Sequence, residues 1–221
     1  MNLALFDLDN TLLPIDSDYA WGEFTNRIGW NDPVAFKAKN DQFYADYQAG
    51  ALDIHDYVRF ATEAVRLRGP EAAAKAHAQF MKETILPQIK PQALELVKAH
   101  QAAGDHVMIV TATNEFVTRP IAQAFGVQEL IAVELAREYE GWITGEISGV
   151  PSFKEGKVLR VEQWLSAHQK NWQDVQITFY SDSINDLPLL QQAQMPVAVN
   201  PDTRLRQLAT DRGWRILQLF S

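Results

Sequence analysis

Two aspartates, Asp7 and Asp9, stand where the apolar stretch Asn2-Leu3-Ala4-Leu5-Phe6 gives way to polar residues. Side chains alternate across a strand, so carboxylates two residues apart project to the same side. At the carboxyl end of a strand, where open α/β sheets bind ligands, such a pair can hold a hard cation and attack an electrophile. One aspartate acting as nucleophile and its neighbour as acid and base would carry out phosphoryl transfer.

Three further polar clusters supply what that chemistry lacks. Thr111-Ala112-Thr113-Asn114 follows the apolar Met108-Ile109-Val110 and offers a hydroxyl, with backbone amides that can form an anion-binding nest or a helix start. Lys157, with Lys154 close by, opens a predicted helix and supplies a point charge against a crowded phosphate. Ser181-Asp182-Ser183-Ile184-Asn185-Asp186 follows a strand ending at Tyr180, and Asp182 joins Asp7 and Asp9 as an oxygen ligand for Mg²⁺. Each cluster alone has an ordinary reading as a turn, a helix cap or a solvated lysine. Their order along the chain makes them a site.

The elements that must position these residues follow from periodicity and punctuation. After Leu13, helices are predicted near 17–28, 33–48, 53–68 and 71–85, broken at Gly29, Asp32-Pro33, Gly50 and Gly69-Pro70. Trp21, Phe24 and Ile28, and then Phe36, Phe43 and Tyr47, recur at helical spacing and read as the buried stripes of a small bundle. From Pro91 the pattern alternates: helix 91–103, strand 106–110, helix 115–125, strand 130–133, a hairpin or flap from Glu138 to Gly149, helix 156–168 and strand 175–180. Short elements near 184–192, 195–199, 203–211 and 214–218 close the chain. Such alternation predicts a parallel sheet with crossover helices. The first strand has no partner among the helices that follow it, so one α/β core (1–14 and 87–221) is expected to carry a helical insert (15–86). The insert would hang over Asp7 as a lid or specificity cap.

Composition narrows the alternatives. Absence of cysteine excludes disulfides, thiolate metal sites and cysteine nucleophiles. A net charge of −8 argues against a nucleic-acid partner, and no apolar run approaches the roughly 20 residues of a membrane span. A soluble, cytoplasmic protein without a membrane partner, monomeric or weakly dimeric, is therefore expected.

Taken together, Asp7-Leu8-Asp9-Asn10-Thr11, Thr111-Ala112-Thr113, Lys157 and Ser181-Asp182-Ser183-Ile184-Asn185-Asp186 resemble the four motifs of the haloacid dehalogenase superfamily, in its phosphoserine phosphatase-like branch. The resemblance spans nearly the whole chain. It implies a Rossmann-like three-layer α/β core with a parallel sheet and an inserted all-helical cap of the C1 type. It also implies a Mg²⁺-dependent phosphatase in which Asp7 forms an aspartyl-phosphate while Asp9 protonates the leaving oxygen and then activates water. By the same likeness, Mg²⁺ is held by the Asp7 carboxylate, the Asp9 carbonyl and Asp182, with Asp186 acting through water. Thr111, the Ala112 amide, Lys157 (or Lys154) and Asn185 hold phosphoryl oxygens, and Thr11 orients the nucleophile. Phosphoserine, histidinol phosphate and other small phosphomonoesters all remain open as the substrate.

Asp16, Asp18, Trp21, Arg59 and Glu63 are the insert's candidates for substrate contact. Ordinary roles compete at each: helix caps for Asp16 and Asp18, core for Trp21, and a surface pair four residues apart for Arg59 and Glu63. Two other functions fit the same motifs. A phosphotransferase of the same fold would pass the phosphoryl group to an alcohol, and a receiver-like phosphate-sensing module would keep it. The latter leaves about 70 inserted helical residues unexplained.

Overall fold

A computed structural model describes every residue of the chain except Glu140 and Ser221. Strand β1 (Asn2–Phe6) leads into three helices, α1 (Ser17–Arg27), α2 (Pro33–Ala49) and α3 (Ile54–Phe80). Then come α4 (Pro91–Ala102), β2 (His106–Asn114), α5 (Glu115–Ala124), β3 (Glu129–Val133), β4 (Leu135–Arg137) and β5 (Ile143–Ile147). The chain closes with α6 (Glu155–Ala167), β6 (Gln176–Ser181), α7 (Leu187–Gln192), β7 (Met195–Val199), α8 (Thr203–Arg212) and β8 (Arg215–Leu217).

Six strands form one parallel sheet in the order β3-β2-β1-β6-β7-β8, while β4 and β5 pair antiparallel. The near-continuous apolar strands reflect burial on both faces. Leu3 and Leu5 pack on one side with Met108, Val110 and Phe179, and Ala4 and Phe6 on the other with Val107, Ile109 and Tyr180. The strand order reverses between β1 and β6, and this switch point opens a crevice at the carboxyl ends of both. Asp7 extends β1 into it, its amide donating to the Tyr180 carbonyl at 2.9 Å.

Local signals explain the helix boundaries. Asp16, Asp32 and Asp53 cap α1, α2 and α3 by accepting two backbone amides each, and Gly50 ends α2 in the left-handed region at φ 73°. The break expected at Gly69-Pro70 is present: Gly69 leaves helical geometry at φ 76°, and Ile54–Phe80 is two helices meeting at that kink. The final turn, Met81–Ile85, is a π-helix followed by a 3₁₀ turn at Leu86–Gln88.

Two expectations need correction. Strand β2 continues past Val110 to Asn114, with an irregular register against β3 between those residues, so Thr111 to Thr113 lie on the strand rather than in a loop after it. Helix α2 buries only Asn40; Phe36 and Phe43 are half-buried against Phe60, with ring centroids at 4.7 and 5.2 Å. Tyr47 leaves that stripe and points toward the crevice described below. The flap exists as β4 and β5 and packs on α3, the Trp142 indole donating to the Arg66 carbonyl at 3.4 Å; its residue Glu140 lies outside the described residues. No helix among the described residues is long and apolar enough to cross a membrane.

Candidate active site

The crevice gathers its charges around one buried lysine. Lys157, 1% exposed, donates to Asp7 Oδ1 at 2.8 Å and to Asp186 Oδ2 at 2.7 Å, and the Ser181 hydroxyl donates to the same Asp186 oxygen at 2.7 Å. A tight turn before α6 delivers this lysine. Lys154 sits there at φ 50°, and a Cβ on Gly156 would fall 1.9 Å from the Pro151 carbonyl oxygen, so only glycine fits. Of the two lysines considered, Lys157 therefore occupies the crevice, while Lys154 donates to the Gly50 carbonyl at 2.6 Å.

Asp9 points to the other side of the crevice mouth. Its carboxylate accepts from the Ser17 amide and the Thr113 hydroxyl, both at 2.8 Å. Thr113 is a residue that the sequence did not single out by itself, although it lies within the second cluster. Asp182 accepts from the Thr11 hydroxyl at 3.1 Å, so Thr11 steadies Asp182 rather than Asp7, being within reach of that acceptor. The Thr111 hydroxyl accepts from the Thr113 amide at 3.2 Å, and its carbonyl is fixed by the Ser152 hydroxyl at 2.6 Å. Asn185 is turned to the insert, donating to the Tyr47 carbonyl at 3.0 Å.

Helix α2 is thus gripped from the core at its exposed carbonyl end. Asn185, Arg204 and Lys154 donate to the carbonyls of Tyr47, Gln48 and Gly50 at 3.0, 2.7 and 2.6 Å. These carbonyls lie at the end of the helix and carry its negative dipole end, and that of Tyr47 also accepts from the Gly50 amide at 3.0 Å.

Asp7, Asp9, Asn10, Thr111, Ala112 and Thr113 floor a narrow cavity. Asp16 and Asp18 line its side, and Tyr19, Asn40, Phe43, Tyr44, Tyr47 and Tyr57 cover it. Asp18 accepts from Asn114 at 3.3 Å, and Asp16 also caps α1. Three candidates lie elsewhere. Trp21 is 2% exposed and packs against Phe24, His77, Phe80 and Phe116, which is the core role that aromatic spacing on α1 predicts. Arg59 and Glu63 are exposed on the outer face of α3, and Arg59 pairs with Asp56 at 2.7 Å and Glu146 at 3.0 Å instead of with Glu63. Asn40, Tyr44 and Tyr47 were missed because α2 reads as a core stripe, with hydroxyl-bearing rings on it as the available signal; Tyr19 on α1 and Tyr57 on α3 carried none.

Burial dominates the electrostatics. It pushes Asp7 up to about 7 against the pull of Lys157, and Asp9 up to about 7 with help from Asp16. Asp18 rises to about 7 through burial and the nearby Asp9, and Asp16 to about 6. Asp182 is raised well above its ordinary value by burial and then by Asp7 and Asp186. Lys157 is shifted upward: Asp186 and Asp7 outweigh its desolvation, and it stays charged. One lysine among so many carboxylates leaves a deficit of positive charge. Among the described residues no three His, Cys, Asp or Glu side chains close into a metal cluster. What the crevice offers is the Asp7 and Asp182 carboxylates, near enough for Asp7 to help raise Asp182, oxygen donors that suit a hard cation completing its shell with water and phosphate.

Comparison with known proteins gives the family and the fold. The sequence model of the haloacid dehalogenase-like hydrolases matches residues 4–191. A histidinol-phosphatase of Neisseria meningitidis serogroup C is 43% identical over 217 residues, covering 98% of each chain. A crystal structure of a protein from Bordetella pertussis Tohama I superposes with a TM-score of 0.93 at 46% identity over 99% of both chains. A substrate-bound phosphoserine phosphatase shares the fold, with a TM-score of 0.65 at 17% identity over 97% of this chain and 91% of that one.

Proposed function

Because the chain belongs to the haloacid dehalogenase-like hydrolase family and is a phosphatase, we propose that it is a Mg²⁺-dependent hydrolase of a small phosphomonoester working through an aspartyl-phosphate on Asp7. The observation that carries this reading is the buried Lys157 joining Asp7 to Asp186, with Asp9 held apart from that ion pair by Ser17 and Thr113. Two aspartates of the same type are thereby given different work.

Asp7 attacks phosphorus through a carboxylate oxygen as the bond to the leaving oxygen breaks, and Asp9 gives that oxygen its proton. A carboxyl poised near 7 can make this transfer and reverse it. Asp9, now ionised, takes a proton from water, whose oxygen attacks phosphorus and returns Asp7 with release of phosphate. The Thr111 hydroxyl, the Ala112 amide and Lys157 hold the phosphoryl oxygens, and Asn185 joins them on leaving the Tyr47 carbonyl. Mg²⁺, held by Asp7, the Asp9 carbonyl and Asp182 with Asp186 beyond, would favour ionised Asp7 and offset phosphoryl charge.

Residues 15–86 act as the cap on a catalytic core of 1–14 and 87–221. The carboxylate- and tyrosine-lined cavity under the insert supports a small polar leaving group, of a phosphoserine or histidinol phosphate kind, and the Neisseria relative's name favours the second. Asp7→Asn is expected to abolish phosphate release from p-nitrophenyl phosphate. Asp9→Asn should slow alkyl phosphates, whose leaving groups need a proton, far more than p-nitrophenyl phosphate. Equal losses on both substrates would remove Asp9 from the acid role. A panel of phosphorylated amino acids, histidinol phosphate, sugar phosphates and nucleotides then ranks the substrates.

A further inference from the structure

Asp7 and Asp9 stand two residues apart, yet their partners differ in kind. Asp7 has a cation, the Lys157 ammonium at 2.8 Å. Asp9 has none within hydrogen-bond reach among the described residues: its Oδ1 accepts from the Ser17 amide and its Oδ2 from the Thr113 hydroxyl, both at 2.8 Å. These two donors are not equivalent. An amide N–H is fixed by the backbone and only donates, whereas a hydroxyl turns about its C–O bond and can donate or accept. Oδ1, at the first turn of α1, thus always faces a donor. Oδ2 faces a partner that suits it with or without a proton.

Thr113 is held for that contact from both sides. The extension of β2 to Asn114 carries it to an aspartate 104 residues away in the chain, and its own amide donates to Thr111 Oγ1 at 3.2 Å. It is buried, it lines the substrate cavity, and among the described residues Asp9 is the only hydrogen-bond partner of its hydroxyl. Buried threonines elsewhere behave differently. Thr25, Thr62 and Thr118 donate to carbonyls three or four residues back, which is the ordinary structural use of a helix threonine.

We propose that Thr113 is a positioning residue for proton transfer, holding Asp9 Oδ2 as the oxygen that hands its proton to the leaving group. The proposal rests on the acid role given to Asp9 above and adds which oxygen carries the proton and what steadies it. As the bond from phosphorus to the leaving oxygen breaks, the proton on Oδ2 moves to that oxygen and Oδ2 keeps the electron pair. Hydrogen bonds to an ionised oxygen are roughly twice as strong as neutral ones. The Thr113 contact therefore strengthens as Oδ2 gains charge, which stabilises the transition state more than the bound substrate. A leaving group that departs without a proton gains nothing from it.

Ethyl, trifluoroethyl, phenyl and p-nitrophenyl phosphate vary the acidity of the leaving group, the first pair at similar size. The comparison uses kcat/KM with Mg²⁺, which covers the steps up to release of the alcohol, where the proton is needed. Thr113→Val keeps the shape and removes the hydroxyl. It is expected to lose about tenfold or more on ethyl phosphate and about threefold or less on p-nitrophenyl phosphate, and Thr113→Ser to restore the wild-type dependence. A loss by one factor on all esters, no loss, or a folded serine variant that fails to restore the dependence overturns the proposal. Equal losses on ethyl and trifluoroethyl phosphate would follow size instead of acidity and overturn it too. Asp9→Asn in the same assay tests the underlying reading. If its loss grows as the leaving group becomes less acidic while that of Thr113→Val does not, the proposal alone falls; if Asp9→Asn shows no such dependence, both fall. Wild-type turnover of p-nitrophenyl phosphate reports separately on phosphomonoesterase activity. Thr113→Ala takes the place of the valine variant if melting curves show the latter unfolded.

Discussion

At the scale of single residues, the site depends on a lysine that structure and chemistry both require. Lys157→Ala would leave Asp7 and Asp186 buried without their shared cation, and removing one partner of a buried ionic network costs about 3–5 kcal/mol. Urea unfolding should show that loss together with loss of turnover. Asp9 yields a pH prediction. Its acid form is present below about 7 and is lost as pH rises through that value, so the rate on an alkyl phosphate should fall there, while p-nitrophenyl phosphate is less affected. Asp7, Asp9 and Asp182 were legible because each lies next to an apolar run whose end fixes its position, and Lys157 from its place between the second and fourth clusters. Asn40, Tyr44 and Tyr57 were not, because no local pattern says which face of an insert helix meets a cavity and which meets solvent. Arg59 and Glu63 show the same limit: their spacing fits a pair on α3, yet Glu146 of the flap is the partner that packing brings to Arg59.

At the scale of elements, the two turns that bring α6 and α2 to the crevice do the positioning. Gly156→Ala should displace Lys157, since its methyl would meet the Pro151 carbonyl, and a fall in both melting temperature and kcat is expected. The grip of Asn185, Arg204 and Lys154 on the last carbonyls of α2 ties insert to core. A Lys154→Ala, Arg204→Ala double variant should therefore speed amide hydrogen exchange in α2 several-fold while leaving β1 and β6 protected. Unchanged exchange in α2 would show that the grip adds nothing to the helix's stability. The order of helices and strands could be read from Gly, Pro and Asp punctuation, whereas the extension of β2 to Asn114 could not. Polar Thr111 to Thr113 look like a loop, and only the sheet register with β3 holds them in a strand.

At the scale of the whole molecule, the site stores unfavourable burial that folding must offset. Asp7, Asp9 and Asp18 each rise from an ordinary 3.8 to about 7, so the folded chain binds protons more tightly than the unfolded chain. Stability is then greatest on the acid side of this window and is lost as pH rises from about 4 through about 7. In EDTA the melting temperature should fall across that range, and Mg²⁺ should flatten the fall by stabilising the ionised crevice; identical profiles with and without Mg²⁺ would speak against a cation there. The family was legible in four short clusters spread over the chain and the parallel core with its helical insert in the alternation of helices and strands; passage of the phosphoryl group through Asp7 is the proposal that joins them. The most direct measurement is to quench the enzyme with borohydride during turnover of p-nitrophenyl phosphate and map the reduced residue by peptide mass spectrometry. Conversion of Asp7 to homoserine is the predicted result; modification of another residue, or turnover with Asp7 left unmodified, would contradict the account.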